Sequence, residues 1–490
     1  MGKIRSAWDA ALGANVSPGR VAGATLQWLW MFMMFYSIVP YGFSSDVRGT
    51  LYANLLISLV AMVVTMLFVA VIVRRERVGA NRSVVAGAAF MMSAGAVLTP
   101  FSDLATPMGM LALSLSAVMT GTGSAVLFLC WIELESGLGG RLALVELASS
   151  LCASFVIGFV LIAGPSVVVI GLIAVMPVAS AVLLRRCSGA TPQLTREPEQ
   201  QLSRQTSALF AKALAGAALV GVLMGFFDVM SGCKTYAVQD AFGAYLFLAG
   251  FVGSLAISLI AVFQQRDSVF FSYRLSMLML CLGCLSTPFM SDNNTYSSAF
   301  IFGGYHCFVL VLCVVCIDVS SSFRVSPARV IGLGFVALYG GETAGSLFAH
   351  SLEAIGVSMF DLALVTLVAV SLLLIAHLFL FTETDLIKIG IGEVSLVGPT
   401  TSDEPAGEGS DDPADPCALI AERYGLSPRE TDVLPLLLEG RTISRIQEAL
   451  FISAGTVSTH IRHIYQKTGV DNRQELIDLA HEMAGREKAD

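Results

Sequence analysis

Twelve apolar runs recur between residues 21 and 381, at 22–43, 51–73, 83–101, 107–132, 142–163, 166–184, 208–230, 241–263, 269–290, 297–319, 330–350 and 358–381. Each is long enough to cross a hydrocarbon layer of about 30 Å as a helix. Lipid offers no partner to a stray backbone amide, so a helix is the form such runs must take. The composition agrees: 55% of the 490 residues are hydrophobic and 13% charged, which excludes an ordinary soluble globule. The first twenty residues are polar, and the first run is too long and lacks a small-residue cleavage site, so no cleaved signal peptide is predicted.

Short loops rich in Lys and Arg stay in the cytoplasm. Fifteen such residues, among them Lys3, Arg5, Arg74, Arg75, Arg141, Arg185, Arg324 and Arg329, fall on the N-terminal side of the predicted membrane, against Arg48 and Lys234 on the other. Both termini are therefore expected in the cytoplasm. Most of the ten cysteines lie within the runs; Cys281/Cys284 and Cys313/Cys316 stand one helical turn apart and read as small apolar residues, with soft-metal or redox pairing as the alternative.

Three short matches pair run n with run n+6: "LTPFSD" (98–103) with "STPFMSD" (286–292), "ELASSL" (146–151) with "ETAGSL" (342–347), and "WIELES" (131–136) with "CIDVSS" (316–321). They predict an internal duplication of six helices plus six. Such a bundle, with a polar loop joining its halves, resembles the major facilitator superfamily of transporters. The resemblance implies two parallel halves around an axis along the membrane normal, with a ligand site at mid-membrane between them. The loop "VRRERVGANRS" (73–83) has the basic character of that family's loop motif without its full Gly-Asp-Arg-Gly-Arg pattern.

Beyond residue 381 the character changes. "GEVSLVGPTTSDEPAGEGSDDPADP" (392–416) is acidic and Gly/Pro-rich, a composition that buries too little apolar surface to fold and reads as a flexible linker. From Cys417 onward amphipathic helices are predicted. Ser427 caps a helix with Pro428 in its first turn and Val433, Leu434, Leu437 and Leu438 inward, closed by Gly440. A second helix, about 442–450, turns Ile443, Ile446 and Leu450 inward. In a third, Val457, Ile461 and Ile464 fall at i, i+4, i+7, so Ser458, Thr459, Arg462, His463 and Gln466 point outward. A helix from Arg473 to Met483 closes what reads as a helix-turn-helix domain. No Asp or Glu occurs between Glu448 and Asp471, where His460, Arg462, His463 and Lys467 lie. An acid-free outer face suits approach to DNA phosphates.

The stretch 426–480 resembles the LuxR-type helix-turn-helix along its whole length, in the Leu-Ser-x-Arg-Glu opening at 426–430, the Gly440 break, "IS..TV.TH...IY.K.GV" from 452 to 470 and "R.EL" near 473–476. The resemblance implies base contacts from Ser458, Thr459 and Arg462, and backbone contacts from Arg445, Thr456, His460, His463 and Lys467. It also implies a homodimer on promoter DNA, with recognition helices about 34 Å apart. Gly455 and Ser458 stand where Lys is common in the family, and Pro435 inside the first helix is expected to kink it.

Ionisable residues inside membrane spans are costly and mark sites or pathways. Glu146 and Glu342, matched by the repeat, are the candidates to line a ligand or proton cavity, with interhelical hydrogen bonding as the alternative. Glu133 and Asp318, at span ends near Arg141 and Arg324, are expected to form gate salt bridges; Asp228 and His306 are read as structural. The expected fold is all-α: a polytopic bundle of twelve transmembrane helices with a C-terminal cytoplasmic four-helix LuxR-type domain. Its divisions are an N-terminal segment (1–20), two membrane halves (21–184 and 208–381) joined by a loop (185–207), a linker (382–416) and the DNA-binding domain (417–490). The expected role is that of a bacterial inner-membrane one-component regulator, sensing a small molecule in the bundle and binding promoter DNA with the tail. The alternative is a proton-coupled transporter with a regulatory tail. No enzymatic activity, cofactor or metal is assigned.

Overall fold

The computed structural model describes residues 16–73, 77–138, 140–188, 204–230, 241–263, 268–286, 295–322, 325–355, 367, 370, 416–438, 446, 450, 454–470 and 473–486. Helices and a few short 3-10 turns account for all the regular structure among them. The chain divides into two compact units, Met1–Leu396 and Val397–Asp490.

The first unit contains α1 (Pro18–Phe35), α2 (Val47–Ile72), α3 (Arg82–Leu98), α4 (Pro107–Glu135), α5 (Gly140–Ile162), α6 (Ser166–Ser188), α7 (Arg204–Met230), α8 (Ala241–Phe263), α9 (Ser268–Ser286), α10 (Thr295–Ser322) and α11 (Pro327–Ile355). They fall on the first eleven predicted runs; of the twelfth, only Leu367 and Val370 lie among the described residues. Nine of the described helices are long and apolar enough to cross a membrane. Local sequence starts them: Asp46 accepts from Gly49 N at 2.9 Å, Asn81 from Ser83 N at 3.0 Å, and Thr106 from Gly109 N at 3.0 Å ahead of Pro107. Each cap satisfies an amide that the first turn leaves open. The outward faces are apolar, with Phe68 62% and Phe90 68% exposed, as suits contact with lipid rather than water.

The duplication is visible in the packing. Within the first half α1 packs on α5, α2 on α4 and α3 on α4; within the second, α7 packs on α11, α8 on α10 and α9 on α10. Across the halves α5 meets α8 and α2 meets α11, a pair of contacts that exchange under the same shift of six helices. The α7–α11 contact is drawn tight by facing Gly-x-x-x-Gly pairs, Gly221/Gly225 and Gly341/Gly345. A Cβ on Gly225 would strike the Glu342 carbonyl oxygen, and one on Gly345 that of Val222. Where lipid is as apolar as the side chains, such close backbone approach is a main source of helix association.

The second unit contains α12 (Pro416–Arg423), α13 (Pro428–Leu438), α14 (Ala454–Thr468) and α15 (Arg473–Arg486). Its own core gathers Ile420, Val433, Leu434, Leu437, Ile446, Val457, Ile464, Leu476 and Ala480. The predicted inward faces of 428–438 and 454–464 are thus the packed ones. Of the predicted helix 442–450, Ile446 is buried and Leu450 half-buried, and the rest, Arg445 included, lies outside the described residues. α12 was not separately anticipated; it is short and packs on α13 and α15. α13 runs through Pro435 to Leu438. Gly425 (φ 61°) and Gly469 (φ 73°) end α12 and α14 in the left-handed conformation that glycine adopts without penalty.

Candidate functional site

A cavity of about 30 Å³ lies inside the first unit, lined by Trp28, Met31, Phe32, Phe35 and Tyr36 of α1, Leu55, Ser58, Leu59 and Met62 of α2, Tyr305, His306 and Val309 of α10, and Tyr339 and Glu342 of α11. Both halves of the repeat contribute, as the transporter-like architecture leads one to expect. Glu342 is 2% exposed and its Oε2 accepts a 2.6 Å hydrogen bond from the Tyr305 hydroxyl. Asp228 of α7 lies within electrostatic reach of it. His306 donates Nδ1–H to the Phe302 carbonyl at 2.9 Å, since a carbonyl has no proton to give. Its ring rests on Phe302 (4.2 Å between centroids) and Phe32 (5.0 Å), and Phe32 stacks on Phe155 at 4.5 Å. Tyr305 and Tyr339, not singled out in the sequence, and His306, read there as structural, all line this cavity. For His306 the signal was its mere presence in a membrane span.

Glu146 is elsewhere. Its two oxygens take Arg20 Nη2 at 2.6 Å and Nε at 2.8 Å, and Oε1 also accepts from Ser17 N at 2.9 Å. This buried bidentate pair bolts α5 to the start of α1. Glu146 is not among the residues that line the cavity. It stands six residues into α5, whereas Glu342 stands fifteen into α11, so at about 1.5 Å per residue the two lie at different depths. The other matches run at offsets of 185 (Glu133 to Asp318) and 188 (Pro100 to Pro288), which set the stretch 154–157 rather than Glu146 opposite Glu342.

Among the described residues Glu133 and Arg141 bond to backbone rather than to each other. Glu133 accepts from the backbone of Val78 (3.3 Å) and Gly79 (3.0 Å), and Asp318 from Gly140 N at the start of α5. Arg141 donates to the carbonyls of Ala261 (3.0 Å) and Val262 (3.1 Å), at the C-terminal end of α8. Helix and turn termini present unpaired amides and carbonyls that compete well for such charges. Arg324 lies outside the described residues.

In the second unit α14 presents Thr456, Ser458, Thr459 and Arg462 as exposed residues, with Val457 and Ile464 buried beneath and Ile461 half-buried. His460 and His463 are half-buried. Lys467 is exposed but engaged: its Nζ donates to Glu430 Oε2 at 2.7 Å and to the Gly425 carbonyl at 3.0 Å. His463 Nδ1 stands 3.5 Å from the other Glu430 oxygen. Glu430 in turn accepts from Ser427 N at 2.7 Å while Ser427 Oγ accepts from Glu430 N at 3.4 Å, a reciprocal capping box. Burial opposes ionisation of Glu430, but the hydrogen bonds from Lys467 and Ser427 outweigh it and hold the carboxyl down at about 2. One buried carboxylate therefore starts α13 and fixes α14 against it. The Ser-x-x-Glu spacing at 427–430 carried half of that information.

Comparisons with known proteins agree with this division. Residues 425–480 match the luxR family of bacterial regulatory proteins. The chain is 44% identical over 55 residues to the Mycobacterium tuberculosis protein Rv0890c, named as an HTH-type transcriptional regulator, which is 11% of this chain and 6% of that protein. It is 41% identical over 58 residues to the HTH-type transcriptional regulator MalT of Serratia proteamaculans, 12% of this chain and 6% of MalT. The chain thus spans a small fraction of the length of these curated relatives. The human organic anion transporter MFSD10 (TETRAN) is similar in structure, with a TM-score of 0.52 at 14% identity over 75% of this chain and 100% of that one. So is a bacterial homologue of the iron transporter ferroportin in its outward-facing state, at 0.50 and 14% over 76% and 97%. At such identities the likeness shows the fold alone. The chain joins a multi-pass helical bundle of the major-facilitator fold to a C-terminal LuxR-type helix-turn-helix domain.

Proposed function

We propose that the protein is a membrane-bound one-component transcriptional regulator, in which the transporter-like bundle senses a small molecule and the LuxR-type domain binds promoter DNA as a homodimer. The observation that carries this reading is the union, on one chain, of a LuxR-type domain with a bundle whose cavity holds the buried Glu342. In this reading Ser458, Thr459 and Arg462 read bases, while Arg445, Thr456, His460, His463 and Lys467 meet the phosphate backbone. Twelve spans with both termini in the cytoplasm of a bacterial cell put residues 417–490 within reach of the chromosome. Because a ligand shifts an equilibrium only by its difference in affinity for two states, the cavity must change shape or access between them. A promoter reporter that responds to the ligand in cells, with no uptake of it into proteoliposomes, is the expected result.

The second reading, a proton-coupled transporter with a regulatory tail, is favoured by one observation: the titratable Glu342–Tyr305 pair lies between the two halves. Ligand accumulation in proteoliposomes driven by an imposed proton gradient, abolished in Glu342→Gln, would establish it instead.

A further inference from the structure

We propose that the cavity between α1, α2, α10 and α11 binds a small organic monocation, an amine or quaternary ammonium with an apolar body, whose charge rests against Glu342 and the surrounding aromatic rings. This deepens the sensor reading and rests on it.

Glu342 is 2% exposed. Its lining partners include no Lys or Arg among the described residues. Among the described residues its Oε2 accepts a hydrogen bond from the Tyr305 hydroxyl at 2.6 Å. That distance falls in the range of charge-assisted O–H···O⁻ bonds, about 2.5–2.7 Å. A buried carboxylate with no cationic partner is strongly unfavourable and either takes up a proton or finds a cation, so a cation supplied from outside completes the site. Trp28, Tyr36 and Tyr339 line the same space. Aromatic faces attract ammonium groups, Trp most strongly. An anion is repelled by Glu342. A bare divalent metal needs several oxygen or nitrogen ligands, and no cluster of three His, Cys, Asp or Glu capable of holding one occurs among the described residues.

Size adds a consequence. About 30 Å³ accommodates an ammonium head and little else, whereas drug-sized ligands occupy about 300–1,000 Å³. A cation with a one-ring body therefore enters only by parting α1 and α2 from α10 and α11. Its binding and the rearrangement of the halves are then the same event.

The test uses the purified full-length protein in detergent and three probes of similar size: benzyltrimethylammonium, its neutral isostere neopentylbenzene, and the anion phenylacetate. Binding is read by quenching of tryptophan fluorescence, and tetramethylammonium is titrated as a head group alone. The expected result is saturable binding of the two cations and not of the other probes, with affinity for benzyltrimethylammonium at least tenfold weaker in Glu342→Gln. Should that variant fail to fold, Trp28→Leu is expected to weaken the cation and leave partition of the neutral isostere unchanged. Equal binding of cation and isostere, saturable binding of phenylacetate, unchanged affinity in the variants, or no saturable cation binding overturns the proposal. A protein that binds the cations but leaves a promoter reporter unmoved upholds the site and overturns the sensor.

Discussion

Lys467 belongs to α14, the proposed recognition helix, yet its ammonium is held 2.7 Å from Glu430, a residue 37 positions earlier in the chain. It is therefore a positioning residue as well as a candidate phosphate contact. Arg462→Ala is expected to relax sequence preference by about 1–3 kcal/mol, because an arginine pairs with a base edge. Lys467→Ala is expected to weaken binding to all sequences alike and also to lower the melting temperature of the 416–490 fragment without DNA; equal effects of both changes on specific and random DNA would contradict the assignment. The depressed Glu430 carboxyl gives the same fragment a pH signature. Its contribution to stability is fully present above the unfolded value of 4.5 and is lost as pH falls toward about 2. Acid unfolding monitored by circular dichroism should show that loss, and Glu430→Gln should remove it. In the bundle, Glu146→Gln removes the carboxylate of the buried pair with Arg20, and breaking such a pair typically costs about 3–5 kcal/mol. A lower melting temperature with an unaltered ligand response is expected, whereas Glu342→Gln should alter the response; an Glu146→Gln protein of normal stability would contradict the structural role.

At the scale of the elements, α7 and α11 approach closely enough that Gly225 and Gly345 tolerate no side chain. Gly225→Val is expected to lower the thermal stability of the detergent-solubilised protein by several degrees. Gly87→Ala, at an exposed position on α3 with open space beside it, should leave stability equal or slightly raised. Similar melting curves for the two variants would remove the glycine seam from the account. Short strings such as "ELASSL" and "ETAGSL" record small residues that suit helix contacts anywhere along a span, and nothing in them sets depth. The packing separates them: Glu146 meets Arg20 of α1, and Glu342 meets Tyr305 of α10.

For the whole molecule, the proposed cytoplasmic placement of both termini makes a direct prediction. Reporters fused after Ser291 should read as outside, and those after Ser188 or Gly409 as inside. An outside reading at Gly409 would put the DNA-binding domain beyond reach of any chromosome and end the proposed function. The two compact units also predict that residues 416–490 fold as a soluble helical fragment, since that unit owns its core of Ile420, Val433, Leu434, Val457, Ile464 and Leu476. A disordered spectrum from the fragment would refute this.

What the sequence determined by itself was local and periodic. Apolar runs that match a bilayer, a 3.6-residue stripe that buries Val457 and Ile464 and turns Ser458, Thr459 and Arg462 outward, and caps such as Ser427 and Thr106 all act within a turn or a span. The duplication was legible too, because it repeats along the chain. Which acid faces the cavity was not. Glu146 and Glu342 have similar neighbours in sequence, and only the packing of α1 on α5 supplies Arg20 to the first, while α7, α10 and α11 enclose the second and bring Tyr305 to it. A charge buried in a bundle is defined by what distant helices bring to it, and that is a property of the tertiary structure.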